Sequence, residues 1–351
     1  MSSPTRRIPR TSRALVAAGL LALFAAGCGG GGGSGNGGGS KTLVGAGSTL
    51  VAPLAAKWSG DYQQRAGVTV TYGAIGSGGG IVQITARTVD FGASDAPLSP
   101  DQASSCEGCV QVPWALAATV TAYNVKGVPN RLRLSGPVLA EIFLGKVTQW
   151  NDSEIARLNP GVQLPATRIV PVFRSDGSGD TYAFSDYLAK VSPEWKDKEG
   201  VSTQVSFPTG TGAKGNDGVS AVIGRANGAI GYLAIAYVFS GHLDYALVQN
   251  AAGKFPVPGI PSILAAAKAA TTIPADNAIS ITDPPASAPG AYPISTFTYA
   301  IVPKSSGKAS TLRPFLTYAV TDGQTFGPPL RFAPLPPTIV TAAKKAIGTI
   351  G

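Results

Sequence analysis

Phe173-Arg174-Ser175-Asp176-Gly177-Ser178-Gly179-Asp180-Thr181 is the stretch whose reading decides the fold. An apolar, β-branched run at residues 167–173 leads into it and reads as a strand. Behind it, over residues 181–190, Phe184, Tyr187 and Leu188 recur at i, i+3 and i+4, which predicts a helix with one buried face. Between strand and helix lies a turn of two glycines, hydroxyls and one cation. Helix N-termini leave N–H groups unpaired and carry the positive end of the helix dipole, so such a turn suits an anion. Gly177 and Gly179 permit close backbone approach, Ser178 offers a hydroxyl and Arg174 a forked charge. The same residues also suit an ordinary capped turn, and this stretch alone does not separate the two readings.

The plan recurs upstream. Residues 41–45 read as a short strand entering Gly45-Ala46-Gly47-Ser48-Thr49-Leu50, and Val51, Leu54, Ala55, Trp58 and Tyr62 then form an amphipathic helical stripe. Residues 68–72 alternate as a second strand, which feeds a glycine turn at 73–80 and a short helix through Ile84. Residues 89–95 form a third strand ending in a turn closed by Pro97. Each turn sets hydroxyls and free N–H groups at the carboxyl end of a strand, the edge where open α/β sheets bind ligands.

Further along, residues 115–125 are an apolar, β-rich run that reads as the crossing into a second lobe. Asn151 with Glu154 has the spacing of a capping box for a helix through Leu158, stopped by Asn159-Pro160-Gly161. Gly210-Thr211-Gly212-Ala213-Lys214-Gly215 fits a dinucleotide-binding pattern, but no acidic residue stands about 20 positions on, so that reading fails. Residues 229–238 read as a buried strand and its continuation, and 294–302 as another strand. Residues 312–318 and 338–347 look helical, while the Pro- and Ala-rich 254–290 resists assignment.

At the N-terminus, Arg6, Arg7, Arg10 and Arg13 precede an apolar run at 14–26, the layout of a signal peptide and too short for a membrane span. It ends in Ala25-Ala26-Gly27-Cys28, which resembles a lipobox whose cysteine is lipidated; a plain secreted protein cut near Cys28 is the alternative. The almost pure glycine of 29–40 cannot pack a core and reads as a flexible tether. The leader holds four of the 28 basic residues and none of the 19 acidic ones, so the net charge of +9 falls to +5 without it. No basic block with interleaved aromatics is present, which argues against nucleic-acid binding. With Cys28 set aside, Cys106 and Cys109 remain in Cys-x-x-Cys spacing. A redox motif or half a zinc site fits that spacing, but His242 is the single histidine and no second cysteine pair exists, so a loop-closing disulfide is preferred.

Gly45-Ala46-Gly47-Ser48-Thr49-Leu50 with Pro53, Gly76-Ser77-Gly78-Gly79, residues 89–97 and Arg174-Ser175-Asp176-Gly177-Ser178-Gly179 together resemble the phosphate-binding lipoproteins of bacterial phosphate ABC transporters. Leu144-Gly145-Lys146, Trp150-Asn151-Asp152, Lys214-Gly215-Asn216-Asp217-Gly218 and Gly228-Ala229-Ile230-Gly231-Tyr232 extend the match, which runs from about Thr42 to Val302. The resemblance implies an α/β, two-lobed periplasmic-binding-protein fold (type II-like), each lobe a mixed sheet flanked by helices, with the ligand in the interlobe cleft. It implies a signal peptide at 1–27, a lipidated Cys28 and tether at 28–40, lobe I at 41–117 plus 292–351 and lobe II at 118–291. By the same resemblance Ser48, Thr49, the Leu50 amide, Ser77, Asp95, Arg174, Ser178, Gly179 and Asp180 line the phosphate site. The expected partners are inorganic phosphate, the permease subunits and, through the lipid, the membrane. The expected protein is a monomer with no cofactor and no enzymatic activity. Asp180 stands where the family usually has Thr, and two roles stay open for it: a ligand contact, or a cap on the following helix.

The chemistry has its own logic. An ionised carboxylate only accepts hydrogen bonds, so Asp95 accepts from the P–OH of phosphate and meets another acceptor on sulfate. Arg174 and Asp176 are placed to pair with each other, leaving most of the binding to hydroxyl and N–H dipoles. Two other readings compete: the same fold for sulfate or molybdate, and a secreted phosphatase or serine hydrolase. The last is weakened because Ser178 lacks the G-x-S-x-G elbow and a triad would have to recruit His242.

Overall fold

In the computed structural model, which describes residues 41–351, the strand at Cys109–Asn124 runs through the middle of a nine-stranded sheet. Cys28, the leader and the tether lie outside the described residues. In chain order the elements begin with β1 (Thr42–Gly47), α1 (Ala52–Ala66), β2 (Thr69–Ala74), α2 (Ser77–Thr85), β3 (Phe91–Ser94) and α3 (Pro100–Ser105). Next come β4 (Cys109–Asn124), β5 (Arg133–Leu134), α4 (Gly136–Phe143), α5 (Ser153–Leu158), β6 (Val170–Arg174), α6 (Gly179–Val191) and α7 (Pro193–Lys198). They continue with β7 (Thr211–Ala213), α8 (Gly215–Arg225), β8 (Ala229–Ala234), α9 (Ile235–Ser240), β9 (Asp244–Tyr245), β10 (Leu247–Val248) and α10 (Ile260–Ala269). Strand β11 (Ser295–Pro303) and helices α11 (Ala309–Val320) and α12 (Pro337–Gly348) complete the order.

The sheet runs β2-β1-β3-β11-β4-β8-β6-β7, with β9 also on β4. Strands β1, β2 and β3 are mutually parallel, and so are β6, β7 and β8. The antiparallel strands β11 and β4 join the two blocks. Strand β4 serves both: Cys109–Ala118 pairs with β11, and Thr119–Asn124 pairs with β8. The two mixed blocks of the sheet are joined through this one long strand. Helices cover both faces, which is why β4 is an almost unbroken apolar run rather than an alternating one.

The helical stripes pack as their spacing predicts. Leu54, Ala55, Trp58 and Tyr62 on α1 are buried, with Trp58 against Trp114 at 5.1 Å between ring centroids. On α6, Phe184, Tyr187 and Leu188 are buried, and Phe184 stacks on Tyr232 at 4.3 Å. Helix α1 starts with Pro53 in its first turn and stops at Gly67, whose φ of 63° suits the left-handed cap.

Three expectations need correction. Ser77 and the glycines at 78–80 are the first turn of α2, which packs so tightly on β1 that a Cβ on Gly80 would lie 2.5 Å from the Gly47 Cα. The N-cap of α5 is Asp152, whose side chain accepts from the Glu154 amide, so Asn151 forms no capping box. The continuation after β8 is the helix α9, because the strand ends where the Asn216 side chain takes the Ala234 N–H.

Candidate functional site

At the carboxyl ends of β1, β2, β6 and β7, four helices begin: α1, α2, α6 and α8, with the end of β3 beside them. The turns before them bring residues more than a hundred positions apart into one buried cluster. Ser178 caps α6, its Oγ accepting from the amides of Asp180 at 3.1 Å and Thr181 at 3.4 Å. That settles where Asp180 points. With the cap already made, Asp180 lies inside the first turn, fully buried, its carboxylate turned to the cluster.

Asp180 Oδ1 accepts from Thr119 Oγ1 at 2.7 Å, and Oδ2 accepts from Asn216 Nδ2 at 2.8 Å and Arg174 Nη1 at 3.0 Å. Arg174 is 4 % exposed and forks onto Asp176, with Nε to Oδ1 at 2.8 Å and Nη2 to Oδ2 at 2.6 Å. The pairing read from the sequence is thus present, and Asp176 is itself held by the Gly215 amide at 2.9 Å. One guanidinium is shared by two carboxylates.

Asp95 is buried at the end of β3. Ser48 Oγ lies 2.5 Å from its Oδ1 and 2.7 Å from Oδ2, and Ser77 Oγ donates to Oδ2 at 3.2 Å. Ser48 has a single hydroxyl proton and already accepts from the amides of Leu50 at 3.0 Å and Val51 at 3.3 Å. Its one O–H is directed between the two carboxylate oxygens as a bifurcated hydrogen bond. The Leu50 amide, expected to face a ligand, donates to Ser48 instead. Ser77 Oγ also accepts from the Gly179 amide at 3.0 Å, and a Cβ on Gly179 would lie 2.4 Å from the Asp95 Cβ. Thr49 Oγ1 accepts from Asn216 Nδ2 at 2.8 Å. Every sequence-derived candidate therefore lies in or directly beside one cluster.

The electrostatics follow from burial. Desolvation first, then the charge of Asp180, push the Asp95 carboxyl up to about 7 against the hydroxyls of Ser48 and Ser77 and the charge of Arg174. Asp180 is likewise raised by burial, with Arg174, Thr119 and Asn216 opposing. For Asp176 burial is outweighed by the Arg174 hydrogen bonds and charge, so its carboxyl is held below the usual range. The cluster holds three carboxylates and one guanidinium, and burial favours the protonated form of the Asp95–Asp180 pair.

Sequence reasoning gave no role to Asn216, Thr119, Tyr72 or Tyr237. Asn216 is fully buried at the start of α8 and bridges Thr49 and Asp180. Its signal was in Lys214-Gly215-Asn216-Asp217-Gly218, a stretch that extends the family resemblance without assigning Asn216 to the site. Tyr72 donates to the Ser48 carbonyl at 2.7 Å and Tyr237 to the Thr49 carbonyl at 3.0 Å, which fixes that turn from both sides. His242 is exposed and its Nδ1 is 3.1 Å from the Phe239 carbonyl, so it forms no pair with Ser178, whose Oγ is occupied by backbone amides. Among the described residues no group of three or more His, Cys, Asp or Glu side chains is arranged to hold a metal ion.

Comparison with known proteins places these features in company. Residues 32–323 match the model described as the PBP superfamily domain. The phosphate-binding protein PstS of Xylella fastidiosa (strain Temecula1) is 42% identical over 306 residues, covering 86% of this chain and 83% of that protein. PstS of Pasteurella multocida is 38% identical over 306 residues, covering 86% and 88%. Among solved structures, a high affinity periplasmic phosphate-binding protein (PfluDING) bound with phosphate superposes with a TM-score of 0.70 at 21% identity, covering 87% of this chain and 93% of that one. At that identity the superposition shows the fold alone: the α/β periplasmic-binding-protein architecture.

Proposed function

The chain belongs to the PBP superfamily and, within it, to the PstS phosphate-binding proteins, and from that premise we propose that it captures inorganic phosphate outside the cytoplasm and delivers it to an ABC permease. It binds and releases its ligand without transforming it. The observation that carries the reading is the Asp95–Asp180–Arg174 cluster ringed by Ser48, Thr49, Ser77, Ser178 and the Gly179 amide. With three carboxylates against one guanidinium the cluster offers no excess positive charge, so hydroxyl and N–H dipoles provide the attraction for an oxyanion. A carboxyl titrating near 7 matches an anion that itself carries a proton at neutral pH. Sulfate carries none and meets acceptors without a donor, at a cost of on the order of 1–3 kcal/mol for each unmatched group.

The site lies between two lobes, 41–117 plus 292–351 and 118–291, which close on the anion. The change of partner along β4 between Ala118 and Thr119 supports that boundary. So do the bonds from Asn216 to Thr49 and from the Gly179 amide to Ser77, each of which joins one lobe to the other. Lipidation at Cys28 anchors the protein to the membrane, and it acts as a monomer. Isothermal titration of the mature protein with phosphate, arsenate and sulfate tests the reading. Phosphate and arsenate are expected to bind and sulfate to fail; sulfate binding of comparable strength would overturn it.

A further inference from the structure

Arg87 completes a feature that phosphate binding does not use. It sits just past α2 with φ at 56°, in the left-handed region. Its guanidinium is held by the carbonyls of Ile84 at 2.9 Å and Glu107 at 2.8 Å, and from there Nη1 donates to Cys109 Sγ at 3.2 Å and Cys106 Sγ at 3.4 Å. Cys106 and Cys109 are joined as a disulfide. A fixed cation against both sulfurs stabilises the thiolates that reduction would create, the opposite of what a purely stapling disulfide needs. The two sulfurs also differ in access. Cys106 is fully buried, whereas Cys109 is half-buried and lines a groove of about 630 Å³. Leu98 and Ile273 give that groove apolar walls, and its charged lining is Lys304, Lys345 and Asp276, all exposed.

We propose that Cys106–Cys109 is a thiol–disulfide exchange site whose substrate is a low-molecular-weight thiol bearing carboxylates. The thiolate enters the groove, drawn by the excess of lysine charge, and attacks Cys109 Sγ. An S–S bond forms between them, the Cys109–Cys106 bond breaks, and its electron pair leaves on Cys106 Sγ beside Arg87. A second thiolate attacks the incoming sulfur of this mixed disulfide, which releases the small-molecule disulfide and leaves Cys109 as a thiolate against the same guanidinium. Two thiols are oxidised to one disulfide while the protein disulfide is reduced to two thiols, and the protons of the two thiols pass to solvent or to the new cysteine thiolates.

The test uses the mature protein under native conditions, with glutathione and glutathione disulfide at varied ratio, and reads trapped thiols by mass after alkylation. The disulfide is expected to equilibrate with the pair. In Cys106→Ser, glutathione disulfide should add at Cys109, whereas in Cys109→Ser the buried Cys106 should stay unmodified. Arg87→Asn tolerates the left-handed backbone and removes the charge. It should slow reduction about three- to tenfold, because the leaving thiolate loses its guanidinium partner, and Arg87→Lys should restore part of the rate. The double variant Lys304→Gln/Lys345→Gln should slow glutathione more than uncharged 2-mercaptoethanol. A disulfide that resists excess thiol until the protein unfolds, or an Arg87→Asn variant reduced at the wild-type rate, would overturn the proposal. An equal response of the lysine variant to both thiols would overturn the part played by the groove.

Discussion

Replacing Asp180 with Thr is expected to remove the pH dependence of phosphate binding. In the wild type, Asp95 titrates near about 7 because it is buried and because Asp180 adds a like charge. Asp180 is itself raised by burial, although Thr119, Arg174 and Asn216 donate to it. Two carboxylates facing one phosphate need two protons among them, and the dianion brings one. Above pH 7 the pair does not supply the second, so binding must take one up from solvent. Affinity then falls about tenfold per pH unit, roughly 30-fold between pH 7 and 8.5, equivalent to about 2 kcal/mol. In Asp180→Thr the like charge is gone, so the Asp95 carboxyl is raised by burial alone and the single P–OH of the dianion meets its one carboxylate. The profile should flatten to within about threefold. Titration calorimetry from about pH 6 to 8.5 in two buffers of different ionisation enthalpy reads both the affinity and the protons taken up. Identical profiles and identical proton uptake in the two proteins would refute the coupling and leave Asp180 as a structural partner of Arg174.

Four further outcomes are expected. Asp95→Asn should keep substantial phosphate binding while admitting sulfate, since an amide both accepts and donates; continued exclusion of sulfate in a competition assay would remove Asp95 as the discriminator. Asn216→Ala strips partners from Thr49, Asp180 and the Ala234 amide, so it should cost about 1–3 kcal/mol in denaturant melts and speed phosphate release, with wild-type values for both counting against the bridge. The Asp95 carboxyl is raised from 3.8 to about 7, so the ligand-free fold holds a proton that the unfolded chain has released. That stabilisation is complete below pH 3.8 and lost as pH rises to about 7; melting temperature should therefore fall across this window relative to Asp95→Asn, and parallel curves for the two proteins would contradict it. Finally, Cys28→Ser should move the protein from the membrane to the soluble or secreted fraction, and unchanged fractionation would exclude lipid anchoring.

What could be read from the sequence was local. The stripes on α1 and α6, the glycine-and-hydroxyl turns, and the strand at residues 294–302 are set by periodicity and by backbone preferences within a few residues, and the structure has them in place. The Arg174–Asp176 pair was legible for the same reason, since its members stand two positions apart. The short-range readings that failed did so where a distant element intervened. The glycine run at 78–80 is helix packed against β1, and residues 235–240 left the strand where Asn216 takes the Ala234 amide. Asn216, Thr119 and Tyr237 looked like ordinary residues of a turn, a strand and a helix. Their partners Thr49 and Asp180 lie 167, 61, 36 and 188 positions away, distances that no pattern along the chain encodes. The residue types that an oxyanion needs were thus present in the sequence, on turns whose hydroxyls and amides could be named one by one. Which carboxylate points inward, and which of them keeps a proton near pH 7, was decided only by tertiary packing, because desolvation and the charge of a neighbour act through space and not along the chain.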